Sequence, residues 1–187
     1  MEFLKVLNES GQETGEILDR EIIHERGLWH KEVAIWIFNH KGQILLQRRS
    51  LNKKQAPNKL SLCAGHVEST KDSISTAKIE LFEEIGIEVD IKDLHLLNNE
   101  KKEKIFGPNS FNRIFNDVYY LLIDKEISDF TIQEDELSEV LWMDYSEFKN
   151  RLLKHDEELT SRIESMEKTG TLALLDNLYS NITHKQI

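Results

Sequence analysis

The segment Gly65-His-Val-Glu-Ser-Thr-Lys-Asp-Ser-Ile-Ser-Thr-Ala-Lys-Ile-Glu-Leu-Phe-Glu-Glu-Ile-Gly-Ile87 decides the fold of this chain. Its apolar residues recur at spacings of three and four, the period of a helix with one buried face. These residues are Ile74, Ala77, Leu81 and Ile85. Ser69 or Thr70 is expected to cap the N-terminus of this helix, and Gly86 is expected to end it. The segment therefore predicts a helix that packs on a sheet.

Short runs rich in β-branched and aromatic residues lie on both sides of this helix and predict strands. The predicted strands cover residues 3–7, 33–38, 43–48, 60–63, 94–98, 114–123 and 140–142. Residues 145–154, 171–179 and the charged stretch between them are predicted to be helical. This order predicts an α+β fold, an α/β/α sandwich with a mixed sheet and C-terminal helices.

Composition sets the class of protein. The chain has 187 residues, of which 39% are hydrophobic, so one domain over residues 1–187 is expected. The net charge of −10 argues against binding to duplex nucleic acid or to an anionic membrane. A single cysteine and the lack of a long apolar run favour a cytoplasmic protein without a membrane span.

Three glutamates stand out within the predicted helix. Glu80, Glu83 and Glu84 lie at positions i, i+3 and i+4, so their carboxylates project from one face. Like charges this close repel, and a hard divalent cation bound by carboxylate oxygens removes that repulsion. The spacing alone fits a metal site and a solvated acidic helix face about equally well.

The segment 65–87 resembles the Nudix box, in which glycine, glutamate and an Arg-Glu-apolar-X-Glu-Glu-X-Gly run recur at fixed spacing. The matching residues are Gly65, Glu80, Leu81, Glu83, Glu84, Gly86 and Ile87. Two positions depart from the pattern: Lys71 replaces its glutamate, and Ile79 replaces its arginine. The resemblance implies a Nudix sandwich with an N-terminal extension over residues 1–30 and C-terminal helices over 145–187.

This resemblance also implies the chemistry. A Nudix hydrolase cleaves a small-molecule organic diphosphate with Mg²⁺ or Mn²⁺, and a homodimer is among the expected assemblies. The implied metal ligands are Glu80, Glu83, Glu84 and the carbonyl of Gly65. Glu83 is the first choice for the general base, with Glu80 also in the catalytic set and Asp117 as the alternative.

A longer stretch, about residues 16–144, is similar to isopentenyl-diphosphate isomerase and to bacterial Nudix hydrolases related to it. The similar positions are 24–30, 36–39, 41–42, 45–46, 48–49, 53–54, 57 and 65–66. Arg49 and Lys53 would supply cations for a diphosphate. His30 and His66, with His24 nearby, would contribute imidazoles to the substrate phosphate or to a metal.

The matching positions favour hydrolysis over isomerisation. The isomerase has a cysteine immediately before its Gly-His pair, whereas this chain has Ala64 there and Cys63 one residue earlier. Successive strand residues point to opposite faces, so Cys63 is expected to point the wrong way. The isomerase and a Nudix module that binds a ligand without turnover remain the alternatives.

Overall fold

The structure is a computed structural model and describes residues 2–108 and 110–184. The strands of these residues form one mixed sheet. They are β1 (Phe3–Leu7), β2 (Glu13–Asp19), β3 (Trp29–Phe38), β4 (Gln43–Arg49), β5 (Leu60–Ser61), β6 (Cys63–His66), β7 (His95–Gly107), β8 (Ser110–Leu122) and β9 (Leu137–Asp144). Strand β3 is central: it runs antiparallel to β1, β4 and β6 and parallel to β8. Strand β8 also pairs with β7, and β4 also pairs with β5 and β9.

Helices cover both faces of this sheet. They are α1 (Arg20–Arg26), α2 (Ser73–Ile85), α3 (Tyr145–Leu153), α4 (Ser161–Glu164), α5 (Met166–Thr169) and α6 (Thr171–His184). The predicted stripe of α2 is buried on one face, where Ala77, Leu81 and Ile85 join the core. Helices α3–α6 contribute to a second core on the other face, against Trp36 and Phe38. The predicted α/β/α sandwich with C-terminal helices is confirmed.

The predicted cap of α2 is wrong. The capping residue is Asp72, whose carboxylate accepts a hydrogen bond from the Ser75 amide at 2.8 Å. The Ser69 amide instead donates to the Phe3 carbonyl, which ties the loop to β1. Gly86 ends the helix as expected, with a left-handed φ of 71° that glycine adopts without strain.

The N-terminal region is more regular than the sequence suggests. Besides the expected strand β1, it contains β2 and α1, which the sequence pattern did not show. Most of β2 is exposed, so it lacks the alternation of buried and exposed residues that reveals a strand. Strand β7 is also longer than the predicted 94–98, because its polar second half pairs with β8. Residues 1, 109 and 185–187 of the expected domain lie outside the described residues.

No helix in residues 2–108 and 110–184 is both long and apolar enough to cross a membrane.

Candidate active site

Glu80 turns from α2 toward the backbone of β6. A Cβ atom built on Gly65 would lie 1.9 Å from Glu80 Oε1, far inside van der Waals contact. A glycine is therefore required for the carboxylate to come this close. The structure thus brings together two of the residues that the sequence predicts as metal ligands.

Glu84 points into the interior beside strands β4 and β6. Gln47 Nε2 donates to Glu84 Oε2 at 3.1 Å, and the Cys63 thiol donates a second hydrogen bond to this carboxylate. Burial raises the pKa of Glu84 to about 7, although the hydrogen bonds from Cys63 and Gln47 act in the opposite direction. Burial also raises the pKa of the Cys63 thiol well above its usual value, and the Glu84 charge raises it further.

The two inward carboxylates lack sufficient positive charge around them. Burial, together with the charges of Glu84 and Glu83, raises the pKa of Glu80 to about 8. Raised carboxyl pKa values mean that ionisation is unfavourable unless a cation arrives. Glu80 and Glu84 therefore have the donor chemistry and the charge deficit that suit a divalent metal.

Glu83 differs from its two neighbours because it is exposed to solvent. The three glutamates therefore do not share one environment, although they lie within a single turn and a half of α2. Within residues 2–108 and 110–184, the three carboxylates are not gathered closely enough to share one metal ion as they stand. Metal binding at α2 would require the glutamate side chains to converge.

Arg49, a predicted phosphate ligand, lies at the end of β4 close to this cluster. Its Nε donates to the Gln55 carbonyl at 3.1 Å. Burial lowers the pKa of Arg49, while the charges of Glu136 and Glu84 raise it. Lys53, the second predicted phosphate ligand, is ion-paired with Glu136. Arg49 is thus placed where the Glu84 charge acts on it, while Lys53 already has Glu136 as an anionic partner.

Arg162 is a site residue that the sequence analysis missed. Its Nη2 donates to Glu32 Oε2 at 2.7 Å, and its buried Nη1 has no hydrogen-bond partner among the described residues. Its charge lowers the pKa of Glu84. Because Arg162 and Glu32 are 130 residues apart, no local pattern could have revealed the contact. The C-terminal helices thus bring a second arginine to the cluster that contains Arg49.

Three histidines, one each from α1, β3 and β6, form a separate cluster. His24 Nε2 lies 3.2 Å from His66 Nε2, and one ring nitrogen from each of His24, His30 and His66 lies within 4.8 Å of the others. His24 Nδ1 is hydrogen-bonded to the Phe111 carbonyl, and His30 Nδ1 to the Leu28 carbonyl. These backbone contacts leave the Nε2 atoms of both rings for another partner.

Glu32 completes this cluster with a carboxylate. Its Oε1 lies 3.3 Å from His66 Nε2 and 3.8 Å from His30 Nε2. Burial would raise the pKa of Glu32, but Arg162 and the two histidines lower it well below the usual range. Three imidazoles and a carboxylate are a donor set that Zn²⁺ and similar metals accept. His30 is fully buried and an anionic side chain faces it, so of the two partners that the sequence leaves open, metal or substrate phosphate, this arrangement suits a metal cation better.

Asp117, the alternative general base, lies at the other end of α2. Its carboxylate accepts hydrogen bonds from Ser73 at 2.5 Å and Asn99 at 2.7 Å, and pairs with Lys31 at 2.9 Å. Ser73 begins the helix, ten residues or about 15 Å along the axis from Glu83. Asp117 thus fixes the start of α2 and does not join the glutamates.

Lys71 replaces the glutamate of the Nudix pattern and has a local partner of its own. Its Nζ lies 2.9 Å from Glu68 Oε1, three residues earlier. Glu68, Glu83 and Glu80 all raise the pKa of Lys71. A lysine–glutamate pair therefore steadies this loop where the family pattern has a glutamate–arginine pair.

Comparisons with known proteins identify the family and the fold. The NUDIX domain family model matches residues 28–163. The chain is 34% identical over 160 residues to Nudix hydrolase 3 of Arabidopsis thaliana, covering 83% of this chain and 21% of that protein. It is 32% identical to an uncharacterised Nudix hydrolase of Clostridium acetobutylicum, covering 73% of this chain and 66% of that protein. It is also 25% identical to isopentenyl-diphosphate Delta-isomerase 2 of Aromatoleum aromaticum, covering 72% of this chain and 68% of that protein.

Solved structures share the fold. A crystal structure from Deinococcus radiodurans superposes with a TM-score of 0.69 at 21% identity, covering 90% of this chain and 99% of that one. The NUDIX domain of Shewanella oneidensis NrtR, solved with ADP-ribose, gives a TM-score of 0.51 at 16% identity, covering 68% of this chain and 83% of that one. The family match and the shared fold define a Nudix domain. This chain belongs to the Nudix family, whose members include hydrolases and isopentenyl-diphosphate isomerases.

Proposed function

We propose that this protein hydrolyses the phosphoanhydride bond of an organic diphosphate in a reaction that depends on Mg²⁺ or Mn²⁺. One observation carries the proposal. Glu80 lies against the backbone of β6 and close to Glu84, and the pKa values of both carboxyl groups are raised because too little positive charge offsets their burial. A module that only binds a ligand has no need for such a charge deficit. The nearby arginines Arg49 and Arg162 supply the positive charge that a diphosphate requires.

Each residue has a distinct role in this proposal. Glu80, Glu84 and the Gly65 carbonyl would hold the metal, with Glu83 joining them or accepting the proton of the attacking water. When bound, a divalent cation neutralises diphosphate charge and lowers the pKa of a water molecule. Arg49 and Arg162 hold the phosphate that leaves, and Lys53 does so when it separates from Glu136. A P–O bond to water forms as the bridging P–O bond breaks, and the carboxylate takes the water proton.

A release assay for phosphate and pyrophosphate tests this proposal. The panel consists of nucleoside diphosphates, nucleotide sugars, dinucleotides and prenyl diphosphates, each with and without Mg²⁺. We expect Glu83→Gln and Glu84→Gln to lower turnover by about 100-fold or more, because each loses a ligand or base charge. Glu88→Gln is the matched control, since Glu88 is an exposed carboxylate beyond the end of α2. Near-normal turnover by both helix variants would refute the role of α2.

The histidine cluster is proposed as a second metal position, held by His24, His30, His66 and Glu32. His24 is prepared for this role because burial lowers its pKa and favours the neutral imidazole that metals bind. Elemental analysis of the purified protein tests it. We expect His24→Ala to lose transition metal, while His184→Ala, altered at the exposed end of α6, retains it.

The isomerase alternative is favoured by the relatives that carry this activity and by the histidine cluster. It is opposed by the orientation of β6, where Cys63 lies in the core beneath α2 and Ala64 packs toward the C-terminal helices. The isomerase arrangement places its cysteine at the Ala64 position. Cys63 instead faces Glu84, whose charge raises the pKa of this thiol, so it does not take the place of the isomerase cysteine.

A further inference from the structure

Glu2, the residue before β1, reaches the histidine cluster from outside the donor set described above. Its Oε1 lies 3.4 Å from His66 Nδ1 and accepts a hydrogen bond from that ring. The other ring nitrogen of His66, Nε2, is the atom that faces His24 and Glu32. Glu2 therefore contacts the cluster from behind His66, and the proposed function gives this contact no role.

The position of Glu2 is fixed by contacts on both sides. Its carbonyl accepts a hydrogen bond from the Arg20 amide at 2.9 Å, and its Oε2 accepts one from Arg20 Nη1 at 2.9 Å. The next carbonyl, of Phe3, accepts from the Ser69 amide at 2.8 Å. Arg20 begins α1 and Ser69 lies in the loop after β6, so the start of β1 joins the two elements that supply His24 and His66.

Backbone carbonyls orient the other two rings of the cluster. The Phe111 carbonyl lies 2.8 Å from His24 Nδ1, and the Leu28 carbonyl lies 3.1 Å from His30 Nδ1. A carbonyl oxygen can only accept a hydrogen bond, so each Nδ1 carries the proton. In the neutral rings, Nε2 is therefore a free lone pair, the form in which imidazole binds a metal.

Glu2 gives His66 what the carbonyls give its two neighbours, an acceptor at Nδ1. All three rings then present an Nε2 lone pair to the same space. One of these atoms, the buried Nε2 of His30, has no hydrogen-bond partner among residues 2–108 and 110–184. A buried polar atom without a partner is rare and indicates a missing ligand.

Building on the metal position proposed at the histidine cluster, we propose that Glu2 is a positioning residue that holds His66 with its Nε2 toward the metal. A carboxylate on the far nitrogen of a ligating histidine fixes the ring and raises its basicity. Arg20 holds Glu2 in turn, through the carboxylate oxygen that His66 does not use. The N-terminal segment thus controls metal affinity without supplying a ligand of its own.

The Zn²⁺ affinity of the metal-free protein, measured by competition with a chromophoric chelator, tests this role. We expect Glu2→Ala to bind zinc about 10- to 100-fold more weakly, the usual loss when such a partner is removed. Glu2→Gln keeps an acceptor oxygen and should lie between Glu2→Ala and the parent. Glu16→Ala, the control, removes an exposed carboxylate of β2 and should stay within about twofold. His24→Ala identifies the part of the zinc binding that belongs to the cluster.

Nitrogen-15 NMR of the histidine rings gives a readout that anchoring of β1 alone would not change. Without metal at pH 8, we expect His66 to carry its proton on Nδ1 in the parent and in Glu2→Gln. In Glu2→Ala, His66 should shift toward the form protonated on Nε2, because its acceptor is gone. His24 and His30 should stay protonated on Nδ1 in all three proteins, since their acceptors are backbone carbonyls.

The outcomes separate this inference from the proposed function. A neutral His66 protonated on Nε2 in the parent, or equal zinc affinity in the parent and Glu2→Ala, would overturn the role of Glu2. The parent spectrum alone decides the first point even if Glu2→Ala does not fold. A parent that binds no zinc would refute the metal position and this inference together. Zinc binding that depends on Glu2 without hydrolysis of any diphosphate would instead support this inference and refute the proposed hydrolysis alone.

Discussion

Gly65 shows how a single hydrogen atom in place of a methyl group sets the geometry of the candidate active site. In Gly65→Ala the new Cβ meets the end of the flexible Glu80 side chain, which can move away at little cost to the fold. We expect turnover to fall by about 100-fold and a higher Mg²⁺ concentration to be needed, because Glu80, a ligand in the proposed metal site, is displaced. Thermal unfolding should change by only a few degrees.

Gly107→Ala is the matched control for this prediction, since nothing lies within 4 Å of a Cβ at that position. Its activity should equal that of the parent. Normal metal dependence in Gly65→Ala, measured as kcat/KM against Mg²⁺ concentration, would show that the close contact with Glu80 has no role in metal binding.

Arg49 is expected to act on substrate affinity. In the proposed mechanism, Arg49→Ala removes a charge-assisted contact to a phosphate, which should cost about 1.5–3 kcal/mol in kcat/KM, mainly through KM. Arg48→Ala, altered at the neighbouring residue that pairs with Glu139, should leave KM within about twofold. Steady-state kinetics of both variants make the comparison. An unfolded Arg49→Ala protein would identify Arg49 as a structural residue.

At this scale the sequence predicts the members of the glutamate cluster but not their environments. The fixed spacing of Glu80, Glu83 and Glu84 identifies the set, whereas the inward direction of two of them depends on how α2 packs against β6. His30 and His66 were expected near the substrate because imidazoles suit both phosphates and metals. Only the buried position of Glu32, on the same strand face as His30, favours metal binding over phosphate binding for these histidines.

Helix α2 connects protonation, metal binding and stability. Because the folded protein raises the pKa of Glu80 to about 8 and of Glu84 to about 7, it binds protons that the unfolded chain releases near pH 4.5. Stability of the metal-free protein should therefore be highest at low pH in this window and fall as pH rises from about 5 to about 8. Mg²⁺ replaces the protons as counter-charge, so it should flatten this slope.

Thermal unfolding across this pH range, with Mg²⁺ or with a chelator, measures the effect. Glu80→Gln should also flatten the slope without metal, since the glutamine cannot ionise, while Glu88→Gln should keep the parent slope. A melting temperature of the chelated parent that rises between about pH 5 and about pH 8 would contradict the arrangement of charges on α2.

Prediction of the elements succeeds where the sequence carries an apolar pattern and fails where it does not. The stripe of α2 is visible because it repeats with the helical period, and β3 is visible because its apolar run is continuous and rich in β-branched and aromatic residues. Strand β2 and the second half of β7 owe their conformation to backbone pairing with β1 and β8, which leaves no apolar pattern. The cap at Asp72 was missed because several residues suited to capping precede the helix.

At the scale of the whole molecule, the site depends on contacts between distant parts of the chain. Arg162 from the C-terminal helices reaches Glu32 on the central strand, and Glu32 in turn faces the histidine cluster. The family resemblance predicts the sandwich because its motif includes the loop and helix that the sheet must support. It does not predict which side chains the termini contribute, since these come from segments outside the motif.

The arrangement of the two sheet faces leads to the last prediction, which separates hydrolysis from isomerisation. Isomerisation needs an acid and a base on either side of a double bond. The position that holds the isomerase cysteine is Ala64 here, and the only thiol, on Cys63, lies on the other face with its pKa raised by burial. We therefore expect the parent protein to incorporate no deuterium from heavy water into isopentenyl diphosphate.

Cys63→Ala should keep metal-dependent hydrolysis within about threefold, because Glu84 retains the hydrogen bond from Gln47. Mass spectrometry of the prenyl diphosphate and a phosphate-release assay on the same preparations make both measurements. Catalytic deuterium uptake that disappears in Cys63→Ala would show that the β6 thiol reaches the substrate and that the chain is an isomerase.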